Sequence, residues 1–293
     1  MIITKITGGL GNQMFQYAVG RTLSLKNNTE LKLDISAFDT YRLHEYSLEK
    51  LSITKNYTTK KDLPWYENAS SNKYIDFILQ KIKNLAAPCN KLHFRENGFE
   101  SFNEKVLTLP DGTYLDGYFQ SDKYFREYAD IIRSDFEVSI LASSQNVEMI
   151  EKIQSVNAVS LHIRRGDYVK NSNTQALHGL CNAEYYKNAV AHIAEKIENP
   201  VFFIFSDDID WAKENMKTGF EQHFIDFNDA SQNHEDIRLM KNCKHHIIAN
   251  STFSWWGAWL NPSTEKIVTM PSVWFSGYVY DTKDLYPDGW VRI

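Results

Sequence analysis

Features that mark several classes of protein are scarce in this chain of 293 residues. It has only three cysteines, an odd number without the paired spacing of a zinc site, which favours reduced thiols over a disulfide framework. Acidic residues outnumber basic residues by 37 to 32, so the net charge is −5 and the basic surface expected of a nucleic-acid-binding protein is lacking. Any anion-binding site must therefore be local.

Long hydrophobic runs are also missing. No segment approaches the ~20 apolar residues that span a bilayer, and the chain opens directly into a predicted strand without a signal peptide. These absences predict a cytoplasmic protein without a transmembrane segment. The hydrophobic fraction of 43% supports a large core, and the length allows two lobes or one large α/β unit.

The most informative segment is His162-Ile163-Arg164-Arg165-Gly166-Asp167-Tyr168, which follows an apolar, β-branched run. Two adjacent arginines after a buried strand lie where open α/β sheets bind ligands, and arginine is suited to bidentate contact with phosphate oxygens. The pattern indicates a diphosphate site. A solvated surface turn with a bend at Gly166 explains the same residues and stays open as an alternative.

A second segment starts with Asn250-Ser251-Thr252-Phe253 and follows the apolar run at 246–249. It predicts a helix whose first backbone N–H groups point at an anion, although N-capping alone explains Ser251 or Thr252. Such a helix would form the second half of a phosphate clamp. Core packing, more than a sugar platform, is the expected role of the tryptophans in this segment, Trp255, Trp256 and Trp259.

The second half of the chain alternates between strand and helix patterns. Strands are predicted to begin at Val159, Val201, Gln222, His245 and Lys266, and helices to cover 183–198, 208–217, 233–242 and 252–260. This alternation predicts a parallel, doubly wound sheet, with a linking helix near 145–155 and a domain boundary near 142–157. The carboxyl ends of parallel strands share one edge, so Arg164, Asp207 and Asn250 are expected to converge there.

The first 35 residues predict a βαβ unit, with a strand at 2–6, a glycine turn at 8–11, a helix at 13–26 and a strand at 30–35. Gly9, Gly11 and Asp34 resemble the dinucleotide fingerprint of nicotinamide-dependent oxidoreductases, which we keep as an alternative. Met14 stands where that fingerprint needs a small residue. From 36 to about 140 the pattern is less regular, and these residues are expected to complete an N-terminal lobe.

Together, several segments resemble the alpha-1,2-fucosyltransferase family, in the family's order and along the whole chain. The segments are residues 8–18, Gly117-Tyr118-Phe119-Gln120-Ser121, residues 162–168, Ser206-Asp207-Asp208 and residues 250–261. The resemblance implies transfer of L-fucose from GDP-β-L-fucose to the 2-hydroxyl of a terminal galactose, with inversion. It also implies an α/β, GT-B-like fold with two Rossmann-type lobes, residues 1–150 on the acceptor side and residues 151–293 binding GDP-fucose.

The resemblance further implies a metal-independent reaction without a cofactor other than the donor substrate. The acceptor would be a β-galactoside glycan. Animal members of the family carry a membrane anchor, so this chain resembles the bacterial type, working in the cytoplasm or peripherally at the inner membrane face.

The family's site residues carry over to matching positions of this chain. One arginine of the pair contacts the diphosphate, for which we choose Arg165, and His162 with Asp207 or Asp208 lies near guanine and ribose. Asp167 is the predicted general base, although it could equally orient Arg165 through a salt bridge. The full predicted donor-binding set is Gly11, Asn12, His162, Arg164, Arg165, Asp207, Asp208, Asn250, Ser251, Thr252 and Phe253.

Two further alternatives stay open. A catalytically inactive protein that binds a sugar nucleotide or glycan would carry the same residues. A manganese-dependent enzyme could use Asp208-Ile209-Asp210, but Asp210 falls within a predicted helix and the arginines make a metal redundant. N-capping by one residue of Ser206, Asp207 and Asp208 is expected in every case.

Overall fold

The computed structural model describes residues 1–41, 43–63, 92–96, 101–166, 179–276 and 281–293. Grouped by its contacts, the chain forms two compact units. The first comprises Met1–Glu49 with Ile53–Asp135, and the second comprises Lys50–Ser52 with Phe136–Ile293. These units differ from the predicted lobes of 1–150 and 151–293 in residues 50–52 and 136–150, which group with the second unit.

Helices and strands alternate along most of the described chain. The helices are α1 (Leu10–Lys26), α2 (Ala129–Asp135), α3 (Ser144–Ser155), α4 (Ala183–Ala194), α5 (Ile209–Asn215), α6 (Asn233–Asn242) and α7 (Thr252–Leu260). The strands are β1 (Ile2–Lys5), β2 (Leu31–Asp34), β3 (Leu92–Arg95), β4 (Thr113–Asp116), β5 (Asn157–Ile163), β6 (Pro200–Ser206), β7 (Gln222–Phe224), β8 (His245–Ile247), β9 (Val268–Met270) and β10 (Val291–Arg292). Within the described ranges, no helix has the length and apolar character to cross a membrane.

The first unit contains a parallel sheet in the order β2-β1-β4-β3. Its opening β1-α1-β2 segment is the predicted βαβ unit. Strand β1 is buried, and the Thr4 hydroxyl donates to the backbone oxygen of Gln16 in α1 at 3.0 Å, which ties helix to strand. Strands β3 and β4 are missing from the sequence-based prediction. In β3, half-exposed His93 and Phe94 lie between exposed Leu92 and Arg95, so buried and exposed positions do not alternate.

The glycine turn is shorter than predicted. Gly8 has a φ of 81°, the left-handed conformation that glycine adopts without strain, and Gly9 is the extended N-cap of α1. Helix α1 therefore begins at Leu10, and the prediction that it begins at residue 13 is wrong. Gly11 lies in the first turn of the helix, because one left-handed residue is enough to redirect the chain.

The second unit contains a parallel sheet in the order β10-β9-β8-β5-β6-β7. Counted from β5 as the first strand of the unit, this is the doubly wound 3-2-1-4-5-6 order. The predicted parallel, doubly wound sheet is thus confirmed, and α6 and α7 have the predicted bounds. The point where the winding direction reverses lies between β5 and β8.

Helices cover both faces of this sheet. On one face, Tyr186 and Ala189 of α4 and Ala212 of α5 pack with Leu161 and Ile204 of the strands. On the other face, Ile153 of α3 and Leu239 of α6 pack with Ala158, Phe203 and Phe205. The predicted core role of the α7 tryptophans is confirmed, since Trp255, Trp256 and Trp259 are at most 5% exposed.

Packing in the first unit depends on Gly20, where α1 crosses β1 and β2. A Cβ atom at this position would lie 2.9 Å from Thr4 Cγ2 and 3.0 Å from Leu31 Cδ1. We expect Gly20→Ala to lower the free energy of unfolding, because overpacking of about 1–3 kcal/mol exceeds the gain in helix propensity of at most about 1 kcal/mol. Urea unfolding measures the difference.

The matched control for this prediction is the Thr4→Ser variant, which keeps the hydroxyl and removes Cγ2. In the double variant we expect part of the lost stability to return, as a double-mutant cycle would show. A Gly20→Ala protein as stable as the wild type would contradict the packing argument.

Candidate functional site

The carboxyl ends of β5 and β6 bring two arginines against two aspartates. Strands β5 and β6 pair in register with Ile163 opposite Ser206, so the next residues along both strands are neighbours. The guanidinium of Arg164 lies 3.0 Å from Asp207 Oδ2, and the backbone N–H of Arg165 donates to Asp207 Oδ1 at 2.8 Å. Asp207 thus fixes the side chain of one arginine and the backbone of the next.

The guanidinium of Arg165 is held on one edge and one face. Its Nε lies 3.4 Å from Asp208 Oδ2, and its Cζ lies 3.8 Å from the centroid of the Trp211 ring. These two contacts use Nε and the flat face of the group, not the two Nη atoms at the end of the fork. A side chain held in this way presents its two Nη groups as a fixed pair of hydrogen-bond donors to a carboxylate or a phosphate.

Trp211 is a residue that the sequence analysis missed. The signal for it was the distance from the helix cap: Asp208 is the N-cap of α5 and accepts from the backbone N–H of Trp211 at 3.4 Å. A residue three positions after an N-cap lies in the first turn, near the carboxyl edge of the sheet. The expected capping role within Ser206, Asp207 and Asp208 is confirmed for Asp208.

Gly166 leaves room for this arrangement. A Cβ atom here would lie 2.9 Å from Asp207 Oδ2 and 3.0 Å from Asp207 Cγ. The glycine is therefore explained by the close approach of a carboxylate to the backbone, in addition to the bend that the sequence predicts.

His162 is a buried, neutral imidazole beside the arginine pair. It is 4% exposed, and its ring lies 5.6 Å from the ring of Phe253 in α7. Burial lowers the pKa of His162 to about 4; the charge of Asp207 opposes this shift and the charge of Arg164 adds to it. Its Nδ1 has no hydrogen-bond partner among the described residues, which is costly for a buried polar atom.

The start of α7 lies on the other side of the switch point. Ser251 is its N-cap and accepts from the backbone N–H of Phe253 at 3.3 Å, and Thr252 is the first helical residue. No acidic residue stands in the first turn of α7, so the partial positive charge of the helix start is not neutralised from within that turn.

Asn250 has a structural function in this fold. It is 2% exposed, and its Nδ2 lies 3.2 Å from the backbone oxygen of Trp274 and 3.4 Å from that of Gly179. Cys181 Sγ donates to its Oδ1 at 3.4 Å. A cavity of about 280 Å³, lined in part by Cys181 and Glu184, adjoins this amide. Asn250 therefore joins three loops at the edge of the sheet.

Gly11 and Asn12 belong to the first unit, at the start of α1. Asn12 Oδ1 accepts from Gln120 Nε2 at 3.0 Å, so the glycine turn is linked to the loop after β4. Asp34, the acid of the oxidoreductase alternative, is 1% exposed and accepts from the Tyr114 hydroxyl at 2.6 Å and the Ser36 backbone N–H at 3.0 Å. Its oxygens are thus engaged inside the protein, which gives that alternative no support.

Asp167, the predicted general base, lies outside the described residues. Asp210 lies within α5, as the sequence predicts. In the ranges that the structure describes, no group of three or more His, Cys, Asp and Glu residues is arranged to hold a metal ion.

Comparisons with known proteins agree along the whole chain. A family model, glycosyl transferase family 11, matches residues 1–293. An alpha-1,2-colitosyltransferase of Escherichia coli is 36% identical over 299 residues, covering 100% of this chain and 99% of its own length. The O-antigen biosynthesis glycosyltransferase WbnK of Escherichia coli is 32% identical over 304 residues, covering 98% of this chain and 99% of its own length.

More distant relatives are also similar. Galactoside alpha-(1,2)-fucosyltransferase 1 of Aotus azarae is 27% identical over 155 residues, which are 50% of this chain and 42% of that protein. The solved structure of an Arabidopsis thaliana FUT1 mutant in complex with GDP has a TM-score of 0.52 at 9% identity, covering 91% of this chain and 69% of that one. The last likeness concerns the fold alone. The predicted α/β, GT-B-like fold with Rossmann-type units and the predicted family are confirmed.

The electrostatics of the site predict how His162 responds to its neighbours. We expect the imidazole to stay neutral at pH 5, with a pKa that rises in Arg164→Gln and falls further in Asp207→Asn. Because the pKa of unfolded histidine is ~6.5, protons favour the unfolded state, and this residue makes the fold less stable as the pH falls from about 6.5 to about 4. Histidine side-chain NMR measures the pKa directly.

The control for this titration is Asp226→Asn, the same change at a carboxylate that pairs with Lys213 at 2.6 Å. It should leave the His162 signal as in the wild type. An imidazole of His162 that is mostly charged at pH 6 would contradict the burial argument.

Proposed function

This chain belongs to glycosyl transferase family 11, and we propose that it transfers L-fucose from GDP-β-L-fucose to the 2-hydroxyl of a terminal galactose in a glycan, with inversion. The alpha-1,2 linkage in the names of its relatives supports the position of transfer. The observation that carries the donor half is the Arg164–Arg165 pair at the switch point, fixed by Asp207 and Asp208.

Arg165 is the proposed ligand of the diphosphate. The leaving GDP gains negative charge as the glycosidic bond breaks, and preorganised donors stabilise that charge without reorganising. Stacking on Trp211 and the contact with Asp208 hold the guanidinium plane before the substrate arrives. The backbone N–H groups near Ser251 and Thr252 would bind phosphate from the other side of the switch point.

Base recognition is proposed for His162 together with Asp207 or Asp208. A carboxylate can accept from the N1–H and N2–H₂ groups of guanine, which adenine does not present in this pattern. Each carboxylate contacts an arginine in the structure, so guanine would share or replace one of these ion pairs. The buried Nδ1 of His162, unpaired among the described residues, supports a further ligand contact at this position.

The remaining proposed roles follow from the resemblance. Gly11 and Asn12 would approach the donor phosphates or sugar. Phe253 packs against the ring of His162 and would shape the donor site from α7. Asn250 would act through the loops that it joins. Asp167 would accept the proton of the attacking hydroxyl or orient Arg165.

Colitose is a second candidate for the transferred sugar. It is L-fucose without the 3-hydroxyl, and the alpha-1,2-colitosyltransferase aligns with the whole of this chain at 36% identity. Both donors present the same GDP moiety to the arginine pair, so the arginines do not distinguish them. We propose fucose as the transferred sugar, and the assay below compares GDP-fucose with GDP-colitose.

Two properties complete the proposal. Turnover would need no divalent metal, because the two guanidiniums and the start of α7 supply positive charge where the diphosphate leaves. The reaction would take place in the cytoplasm or peripherally at the inner membrane face, which agrees with an O-antigen biosynthesis enzyme among the relatives.

A direct assay tests the function. We expect the protein to release GDP from GDP-fucose in the presence of lactose or N-acetyllactosamine, with excess EDTA, and to form an α-linked fucoside on the galactose 2-hydroxyl that NMR identifies. GDP-colitose in parallel shows which sugar is preferred. Equal use of a UDP-sugar would contradict the donor assignment, and EDTA-sensitive turnover restored by manganese would contradict the metal-free reaction.

The assignment of Arg165 predicts the effect of a charge-conserving change. Arg165→Lys keeps the positive charge but loses the planar fork, and losing a preorganised donor of this kind typically costs about 10²–10³ in turnover. The loss should appear in kcat as well as in KM for the donor, since the interaction strengthens towards the transition state. Arg164→Lys should be milder. Steady-state kinetics on folded variants measure both.

A matched control is Arg292→Lys. Arg292 also stacks on an aromatic ring, with Cζ 4.2 Å from the centroid of Tyr286, but it lies on the edge strand β10. Its replacement should leave kcat unchanged. A folded Arg165→Lys enzyme with the wild-type kcat would refute the assignment of Arg165.

A further inference from the structure

The cavity of about 280 Å³ beside Asn250 lies at the carboxyl edge of the second sheet. Its lining residues come mainly from three segments: residues 179–188 at the start of α4, Asn250 after β8, and residues 271–276 after β9. Strands β5, β8 and β9 are neighbours in this sheet, so the segments that follow them converge at one edge. The carboxyl edge near a switch point is where open α/β sheets bind ligands.

Hydrogen bonds to the backbone hold the walls of this cavity. Tyr185 is 7% exposed, and its hydroxyl donates to the backbone oxygen of Ile248, just after β8. The backbone N–H of Ser272 donates to the backbone oxygen of Ile293 at 3.0 Å. Together with the contacts of Asn250 described above, these bonds fix the shape of the cavity. A ligand that enters a preformed cavity loses little free energy to the ordering of the protein.

Gly179 lets two of the walls come together. Its φ is 67°, and a Cβ atom there would lie 2.6 Å from Ser276 Oγ and 2.9 Å from Ser276 Cβ. A side chain at this position would push the loop before α4 away from the loop after β9. The volume of the cavity lies just below the range of about 300–1,000 Å³ that is typical of pockets for drug-sized ligands. The cavity therefore matches a single sugar ring better than a whole nucleotide.

The chemistry of the lining suits a neutral, hydroxylated ligand. None of the described residues that line the cavity is Lys, Arg or His, and Glu184 adds a carboxylate. Burial raises the pKa of the Cys181 thiol to about 11, so this residue is neutral at pH 7. The other polar side chains offer amide and hydroxyl groups, which bind sugar hydroxyls; they are those of Asn182, Asn188, Asn250, Ser272 and Ser276. Leu180 and Val273 add apolar surface.

The cavity lies next to the proposed phosphate-binding end of α7. Asn250 directly precedes Ser251, the N-cap of α7, so their Cα atoms are about 3.8 Å apart. The side chain of Asn250 points the other way, towards the cavity wall, where it accepts from Cys181 at 3.4 Å. A sugar linked to a phosphate at the start of α7 would therefore be within reach of the cavity.

We propose that this cavity holds the sugar of the donor and selects a 6-deoxyhexose, with Glu184 accepting from its hydroxyls and Val273 contacting its C6 methyl group. The proposal rests on the proposed function, which names no residue of the second unit for the sugar. Val273 is 60% exposed, so a methyl group that covers it removes apolar surface from water. A phosphate in the same place would meet the carboxylate of Glu184 without a cation from the lining.

Binding of GDP-fucose compared with binding of GDP tests the sugar contact. Glu184→Ala removes a charged acceptor, and Val273→Trp fills the cavity from an exposed position. We expect each variant to raise the Kd for GDP-fucose by about tenfold or more, the loss expected for a hydrogen bond to a charged group. The Kd for GDP should change less than twofold, since no nucleotide contact is removed. Calorimetry without an acceptor measures both constants.

The matched controls are Glu195→Ala and Leu141→Trp. Glu195 is the C-cap of the same helix α4, about 16 Å from Glu184 along the helix axis, and Leu141 is an apolar residue with 97% exposure outside the lining. Both should bind GDP-fucose like the wild type. Thermal melting shows whether each variant is folded. Folded Glu184→Ala and Val273→Trp proteins with the wild-type Kd for GDP-fucose would overturn the proposal, as would an equal rise in the Kd for GDP.

A donor that differs at C6 alone tests the apolar contact. GDP-L-galactose carries a hydroxyl on the carbon that is a methyl group in GDP-fucose. We expect the wild type to bind it about fivefold or more weakly, because a hydroxyl placed against Val273 finds no partner in that side chain. Val273→Thr keeps the shape and adds a hydroxyl, so it should narrow the difference. Equal Kd values for the two donors in the wild type would contradict the selection of a 6-deoxyhexose.

Binding and turnover together separate this proposal from the proposed function. If the two test variants weaken the binding of GDP-fucose alone, but the wild type transfers no fucose to a galactoside, the proposed function fails and the sugar site stands. If transfer occurs while both variants bind GDP-fucose like the wild type, the sugar site is wrong and the proposed function stands. A wild type that binds neither GDP nor GDP-fucose would contradict both.

Discussion

The in-register pairing of β5 with β6 is the constraint on which the candidate donor site depends. The two strands pair from Asn157 opposite Pro200 to Ile163 opposite Ser206, so Arg164 and Asp207 leave the sheet side by side. A slip of one residue would turn every side chain of a strand to the other face and separate them. Asp207 then fixes both arginines, Asp208 begins α5, and the first turn of α5 brings Trp211 under the guanidinium of Arg165. The position of the Arg165 guanidinium thus follows from backbone hydrogen bonds several residues away.

Charge balance explains why the arginines lie against carboxylates. Two guanidiniums side by side repel each other, and a buried imidazole nearby is easier to keep neutral than to protonate. Asp207 and Asp208 compensate the arginines, while burial and Arg164 keep His162 uncharged. A diphosphate bound as proposed would compete with these carboxylates for the guanidiniums. Part of its binding free energy would therefore be spent on rearranging the ion pairs, and a ligand that also occupies the carboxylates, as guanine would, would recover some of that cost.

The sequence predicts the second unit better than the first. Buried seven-residue strands such as β6 and amphipathic helices such as α6 give strong periodic signals, and the convergence of Arg164, Asp207 and the start of α7 follows from the parallel order. Strand β3, in which half-exposed His93 and Phe94 lie between exposed Leu92 and Arg95, gives no such signal. The contacts of Asn250 and Gln13 were also not predictable, because each depends on which loops the completed fold brings together. A sequence does not show whether a carboxamide binds a ligand or has a structural role. The carboxamide of Gln13 has a structural role, because it donates to the backbone oxygens of both Gly8 and Glu45.

The carboxyl edges of the two sheets differ in their charged groups. A leaving nucleotide diphosphate needs fixed positive charge in a site of low polarity, where Coulomb interactions are strong. A neutral sugar hydroxyl gains little from such charge and instead needs donors and acceptors at set angles. Arginines held by Asp207 and Asp208 at the edge of β5 and β6 meet the first demand. At the edge of β1 and β4 the cations Lys5 and Arg95 lie against Asp116, and the groups beside the glycine turn are an imidazole and two carboxamides. The edge of β5 and β6 is therefore better suited to a diphosphate than the edge of β1 and β4.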